Sequence, residues 1–420
     1  MQKKLIALAV ASLVSGGAFA QASNVTIYGR ANLALDTYAA TGSFAGTATD
    51  FQSRTRIVDS ASRIGFKGTE DLGKGLQMNW QCESQVNMNQ GGTATMNGTT
   101  TNASDGLCGR QSYAGLSGGW GEFRLGRQEV YWTSGRVNDV GANELVTGSP
   151  LSSTGGGLVA APYNRTSNVL SYFTPTVSGF QGAAFYVAGA EAAAAGTQTN
   201  GKGYSLQLNY NNGPIAVKYD FAKQYVQNTA GLSDPLTGVP TNTGSKLALA
   251  YFYQGESKVG IVLAHLTMAN IASSATATNG TVTIGGSTAF LNAGNTLTQN
   301  TWDINWEHYW SDQFKTIVEF GQAPNASLAA GGGVLTGNAT NFNAAETGVK
   351  SYTVAGKYFF SKRTAMYLLN EKITNGQQNW ADVTAAGYSG ATGNAAAGGM
   401  ASGQRGADVK VTAIGLIHNF

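Results

Sequence analysis

A two-residue rhythm of apolar and polar side chains runs through almost the whole chain. In NVTIYGRANLALD, Val25, Ile27, Ala31, Leu33 and Leu35 fall on one face, and Thr26, Tyr28, Arg30, Asn32 and Asp36 on the other. LQMNWQCESQ sets Leu76, Met78, Trp80 and Cys82 against Gln77, Asn79, Gln81 and Glu83, and YSLQLNY sets Tyr204, Leu206, Leu208 and Tyr210 against Ser205, Gln207 and Asn209. Period two is the mark of a strand with one apolar and one wet face. No segment past the N-terminal region holds about 18 consecutive apolar residues, so the chain does not cross a membrane as helices.

The connections between these stretches alternate in length. Short ones lie at 68–75, 117–121, 174–179, 211–214, 254–257, 311–313 and 361–362, and long ones, rich in Gly, Ala, Ser, Thr and Asn, at 37–56, 90–107, 188–202, 267–300 and 373–406. A soluble sandwich has no reason to gather its short turns at one end, whereas a membrane barrel has tight periplasmic turns and long outer loops. The pattern predicts about sixteen strands, near 24–36, 57–68, 75–89, 108–117, 122–129, 166–174, 180–188, 203–211, 214–226, 245–254, 258–267, 301–310, 314–321, 349–360, 363–372 and 408–420. An even count suits a closed antiparallel barrel, and closure leaves no unpaired backbone in lipid. The last stretch, VTAIGLIHNF, points Ile414, Leu416, His418 and Phe420 one way and Ala413, Gly415, Ile417 and Asn419 the other. Such a strand is expected to close the barrel against the first, with Phe420 outward at an aromatic rim.

The first twenty residues, MQKKLIALAVASLVSGGAFA, combine a basic start at Lys3 and Lys4, an apolar stretch and an Ala18-Phe19-Ala20 cleavage pattern. They are expected to be a secretory signal, residues 1–20, with the barrel over 21–420. Removing Lys3 and Lys4 from 26 basic residues leaves 24 against 23 acidic ones, a net charge of +1, so nucleic acid is not an expected partner. The composition of 57 Gly, 18 Tyr, 17 Phe and 7 Trp, with 12% charged residues, fits strands joined by turns and opposes disorder.

Across NVTIYGR, SRIGFKGTEDLGKGLQ (62–77), GRQSYAGLSGGWGEFRLGRQ (109–128), FFSKRT (359–364) and the closing GLIHNF, the chain resembles the general porins of Gram-negative bacteria, of the betaproteobacterial type. The resemblance implies a sixteen-stranded trimeric barrel that conducts ions and small hydrophilic solutes, with its third loop folded inward. It also implies outer-membrane lipid and lipopolysaccharide as surroundings, and barrel assembly machinery as the inserting partner. Relatives often carry arginine where Ile417 stands and a basic residue where Ser171 stands, so a less basic channel is expected here.

The third long loop, about 130–164, carries Asp139 and Glu144, and one inward loop narrows an otherwise wide barrel. Arg30, Arg63, Lys67 and Arg124 share the lumen phase and are expected to face it. Opposed charges across a constriction set up a transverse field that filters solutes by charge. Lys67 lies close to a short turn and reads as a vestibule residue. Arg127 is out of phase with Arg124 unless a bulge turns it inward, and Arg165, leaving the loop, is a candidate to anchor it. Cys82 and Cys108 stand at similar heights on adjacent antiparallel strands, which favours a disulfide across the second outer loop over two separate thiols.

Only His265, His308 and His418 are present, scattered over predicted strands, and no nucleophile–base or paired-carboxylate spacing can be read. An enzyme is therefore the weaker class, and no metal or cofactor is expected. Trp302, Ile304, Trp306, His308 and Trp310 suggest a sugar-stacking box, but their alternation with Asp303, Asn305 and Glu307 favours a lipid-facing row. A secreted sugar-binding sandwich and a substrate-specific channel are the other readings.

Overall fold

The computed structural model describes residues 24–43, 46, 50–89, 107–131, 137, 145, 162–163, 165–188, 202–225, 241–271, 281–284, 287–290, 295–329, 346–377, 388–389 and 406–420. The expected signal segment, Asp139, Glu144 and most of the long connections lie outside the described residues.

Sixteen strands form one closed antiparallel barrel. They are β1 (Asn24–Thr41), β2 (in two halves, Phe51–Ser60 and Arg63–Gly73), β3 (Leu76–Gln85), β4 (Ser112–Gly118), β5 (Gly121–Glu129), β6 (Arg165–Phe173), β7 (Phe180–Val187) and β8 (Gly203–Asn212). The second half of the wall is β9 (Ile215–Tyr225), β10 (Thr241–Gln254), β11 (Ser257–Ile271), β12 (Asn295–Ser311), β13 (Phe314–Ala323, continued by Ser327–Ala329), β14 (Val349–Phe359), β15 (Thr364–Asn375) and β16 (Asp408–Asn419). Each strand pairs with its neighbours in the chain, and β16 closes on β1 from Arg30↔Asn419 to Thr41↔Asp408. Phe420 extends that seam, since its N–H donates to the Gly29 carbonyl at 3.1 Å and its carbonyl accepts from Gly29 N–H at 3.0 Å. Its ring covers Gly29, where any side chain would collide with it.

The alternation maps onto two environments. Leu35, Ile57, Leu125, Leu206, Leu368 and Leu416 are half exposed or more, while the residues between them point inward and are mostly buried. The exposed band is the lipid face, since closure leaves apolar side chains nowhere else to go. Trp302, Ile304 and Trp310 belong to it, and Asp303, Asn305 and Glu307 face inward. Rings gather beside the short turns in the groups Trp120–Phe123–Tyr172, Phe180–Tyr210 and Tyr358–Phe360, as a girdle at one membrane interface requires.

Several strands run past their sequence-predicted limits on the long-loop side. β1 continues to Thr41, β10 begins at Thr241, β11 ends at Ile271 and β12 begins at Asn295. Above the lipid the outer face needs no apolar residue, so the rhythm stops while the hydrogen-bond ladder goes on. β4 begins later than expected, at Ser112, because Cys108 to Gln111 form a corner instead of strand. A small hairpin (281–284 with 287–290) and a two-residue pairing of 388–389 with Asp59 and Ser60 lie within segments read as long connections.

Candidate functional site: the channel constriction

β2 breaks at Ala61–Ser62, where Ala61 takes φ 53°. Ser62 Oγ accepts from the Asn32 N–H at 2.9 Å, replacing a ladder bond. Asp59 Oδ1 accepts from Ser62 N–H at 3.1 Å, and its Oδ2 from Met88 N–H at 3.3 Å. Across the break Arg30 stands opposite Arg63 in register, and Asp59 lies within electrostatic reach of Arg30.

Glu83 on β3 is the hub of a charged group at that level. Its Oε1 accepts from Arg110 Nε at 2.6 Å, and its Oε2 accepts from the Tyr28 hydroxyl at 3.1 Å and lies 3.7 Å from Arg63 Nε. Arg110 also donates to Gln85 Oε1 at 3.1 Å. On the next strands the ladder shifts register between Gly126 and Gln128, so Arg127 occupies a bulge, as its phase required. It donates to Gly109 O and Ser167 Oγ, each at 2.8 Å, within electrostatic reach of Arg110. Arg165 pairs with Glu129 at 3.3 Å across the base of the third loop, tying the loop's two ends together. Among the described residues this group holds five arginines and three carboxylates, besides the separate Arg56–Asp36 and Arg124–Glu122 pairs, an arrangement that leaves a cationic surface.

Arg124 and Lys67 stand apart from this group. Arg124 pairs with Glu122 at 2.7 Å and lies over the rings of Tyr113 and Phe173, each 4.5 Å away. Lys67 sits exposed over the Tyr28 ring at 5.3 Å, on the short-turn side of Arg63.

The described residues of the third loop pack on the inner wall at separate places. Tyr131 packs on β10: its carbonyl accepts from Lys246 Nζ at 3.3 Å, and a Cβ on Gly244 would lie 2.8 Å from its ring and 2.9 Å from Pro162. Val137 joins Ala216, Ala248, Ala250, Phe252 and Val262 in an apolar cluster on β9 to β11. Leu145, fully buried, joins Ala34, Tyr367, Leu369 and Ala413 on β1, β15 and β16. Its carbonyl accepts from Asn32 Nδ2 at 3.2 Å, and Tyr367 holds Asn32 by a 2.8 Å hydrogen bond to Oδ1. Burial raises the Tyr131 and Tyr163 phenols above the usual tyrosine range, so both remain neutral.

Ile417 and Ser171, where the resemblance leads to an expectation of basic residues, also face inward. Ile417 is buried in the cluster that contains Leu145, and Ser171 donates to Gln128 Oε1 at 2.7 Å. Cys82 and Cys108 are joined by a disulfide with a Cα–Cα distance of 4.6 Å.

A closed sixteen-stranded wall with loop residues packed on its inner face and a row of arginines is a channel architecture, and the comparisons agree. The family described as Gram-negative porin matches residues 7–378. The chain belongs to the Gram-negative porin family. The major outer membrane protein P.IB of Neisseria meningitidis serogroup B is 33% identical over 235 residues, 56% of this chain and 62% of that protein. The chain therefore spans under two thirds of the length of the relatives it matches. Among solved structures, an anion-selective porin from Comamonas acidovorans superposes with a TM-score of 0.64 at 21% identity, over 95% of this chain and 100% of that one. OmpT of Vibrio cholerae in its trimer form gives 0.57 at 11% identity, over 95% and 100%. Like the porins it resembles, this protein resides in the outer membrane, and its family consists of channels, not enzymes.

Arg110, Glu83, Glu129 and Asp59 were not singled out from the sequence. Glu83 was legible only as an inward phase, and Arg110 sits in a corner where phase has no meaning. The one pointer to Arg110 was its place two residues after Cys108.

Proposed function

We propose that this porin is a general diffusion channel, passing ions and small hydrophilic solutes through a water-filled lumen, and that it works as a homotrimer in outer-membrane lipid and lipopolysaccharide after insertion by the barrel assembly machinery. Family membership and the trimer form of a structural neighbour support this reading. The observation that carries it is the division of the inner wall: a cationic surface centred on Arg63, Glu83 and Arg110, and surfaces on β9 to β11 and on β15, β16 and the adjoining part of β1 that meet described residues of the third loop.

In this reading Arg30, Arg63, Arg110, Arg127 and Arg165 form one side of the narrowest passage. Asp139 and Glu144 of the third loop face them, and Lys67 and Arg124 belong to the vestibule. Charges fixed on opposite sides of a narrow aqueous passage orient dipolar solutes and set ion preference by their local field, so a chain of nearly neutral net charge still selects. Weak anion preference is the expected outcome, because the arginines exceed their carboxylate partners on the exposed side while Ile417 and Ser171 add no charge. Purified protein added to a planar bilayer should insert in discrete conductance steps. Absence of such steps from a detergent-stable, heat-modifiable trimer overturns the channel reading.

A further inference from the structure

Among the arginines described at the constriction, Arg110 is the one that no strand carries. It lies between Cys108 and the start of β4 at Ser112, in a corner held by three hydrogen bonds to β3 and one across the corner itself. Cys108 N–H donates to Ser84 Oγ at 2.9 Å and Ser112 Oγ to the Cys108 carbonyl at 2.7 Å. Arg110 N–H donates to Glu83 O at 2.8 Å and Glu83 N–H to Gln111 O at 3.1 Å. Cys108 itself sits at φ 63°, a conformation that L side chains seldom take. Local preference therefore opposes the corner, and something outside the segment must hold it. The bridge to Cys82 is the covalent candidate, one residue from Glu83 and on the outward side of β3, with the Arg110 guanidinium inside.

We infer that the Cys82–Cys108 disulfide is a selectivity-setting element: by pinning this corner it holds Arg110 against Glu83 and Gln85, within electrostatic reach of Arg63, Arg127 and Arg165. This rests on the constriction proposed above. The bridge spans 26 residues of sequence, so opening it returns to the corner a long segment's conformational freedom. Arg110 then leaves Glu83 for part of the time. Each departure removes one positive charge from the passage and leaves the Glu83 carboxylate less neutralised. Both changes move the local field toward cations.

The test compares five channels in planar bilayers under a potassium chloride gradient: the unaltered protein, Arg63→Gln, Arg110→Gln, Cys82→Ala with Cys108→Ala, and the cysteine pair combined with Arg110→Gln. Arg110→Gln is expected to lower the anion-to-cation permeability ratio several-fold. The cysteine pair should move it the same way by a smaller amount, and the triple variant no further than Arg110→Gln alone. A cysteine variant at the unaltered reversal potential, beside a shifted Arg110→Gln, overturns the role of the bridge, even if the trimer dissociates at lower temperature. An unshifted Arg110→Gln beside a shifted Arg63→Gln removes Arg110 and its bridge from selectivity while the constriction stands. If neither shifts, the constriction itself is misplaced. Should the cysteine variant fail to assemble, the native trimer is reduced with a phosphine and its two thiols alkylated, confirmed by intact mass, before the same recordings.

Discussion

Two stretches of the same inner wall have met the same sequence rule and become different surfaces. On β1 to β3 and β5 to β6 the inward positions hold Arg30, Arg63, Glu83, Glu129 and Arg165, grouped around charge-assisted hydrogen bonds. On β9 to β11 they hold Ala216, Ala248, Ala250 and Val262, all under 6% exposed, beneath Val137 of the third loop, with Lys218, Asp220 and Lys246 buried beside them as a mutually paired group. Alternation decides only that a side chain turns away from lipid. Whether it then meets water or protein depends on where one loop lies, and small apolar residues mark the ground on which it rests.

The largest effect should come from treating the covered wall as though it were open. Val262→Lys forces a long ammonium side chain under the loop, and although the buried Asp303 stands opposite it in register, taking the ion out of water costs several kcal/mol that one pairing does not return. The assembled protein should dissociate on heating well below the unaltered one, or assemble poorly. A Val262→Lys protein of normal heat stability that becomes more anion-selective would mean that β11 faces the channel, and the comparison would collapse.

Next in size is Leu145→Ala, which removes a fully buried side chain from the cluster on β1, β15 and β16. Leucine-to-alanine changes at such sites cost about 2–5 kcal/mol, here borne mainly by the loop's hold on the wall. Conductance should rise and its fluctuations increase, while the strands, each tied to two neighbours, stay paired. Unchanged conductance and noise would show that other anchors fix the loop.

The arginine wall should answer in selectivity, not stability. Arg30→Gln with Arg63→Gln is expected to lower the anion-to-cation permeability ratio several-fold, and Asp139→Asn with Glu144→Gln to raise it. Reversal potentials under a salt gradient report both. If the first pair acts and the second does not, the arginines are selective without the loop's acids opposite them.

The contrast between the walls also explains what the sequence disclosed. Strand count, closure by the last strand and the outward row from Trp302 to Trp310 follow from period two, because lipid contact demands an apolar residue at every second position. The levels of Cys82 and Cys108 were legible because each can be counted up from a short turn at the foot of its own strand, seven residues above 75 in one case and nine before 117 in the other. The covering loop was not legible as a path. Tyr131, Val137 and Leu145 are far in sequence from Gly244, Val262 and Tyr367, and no local pattern records those contacts. Arg110 was hidden differently, since a corner held at positive φ by Cys108 has no alternation to read.

The smallest effect should come from the vestibule, and salt can separate it from the constriction. Lys67 lies four residues of strand from Arg63, about 13 Å at ~3.3 Å per residue. That exceeds the screening length of ~8 Å at 0.15 M salt but falls well inside ~30 Å at 0.01 M. Lys67→Gln should therefore leave ion preference almost unchanged at 0.15 M and lower anion preference slightly at 0.01 M. Arg124→Gln should do less still, because Arg124 stands two residues nearer the short turn than the ladder row of Lys67, which reaches β5 at Gly126. The Arg63→Gln shift should persist at 0.15 M and shrink at 1 M, where screening reaches only ~3 Å and ions passing at greater distance no longer sense the wall. Recording all three variants through this series orders the charges by their distance from the narrowest point. A Lys67→Gln shift as large at 0.15 M as that of Arg63→Gln would move the constriction toward the short-turn end, away from the break in β2.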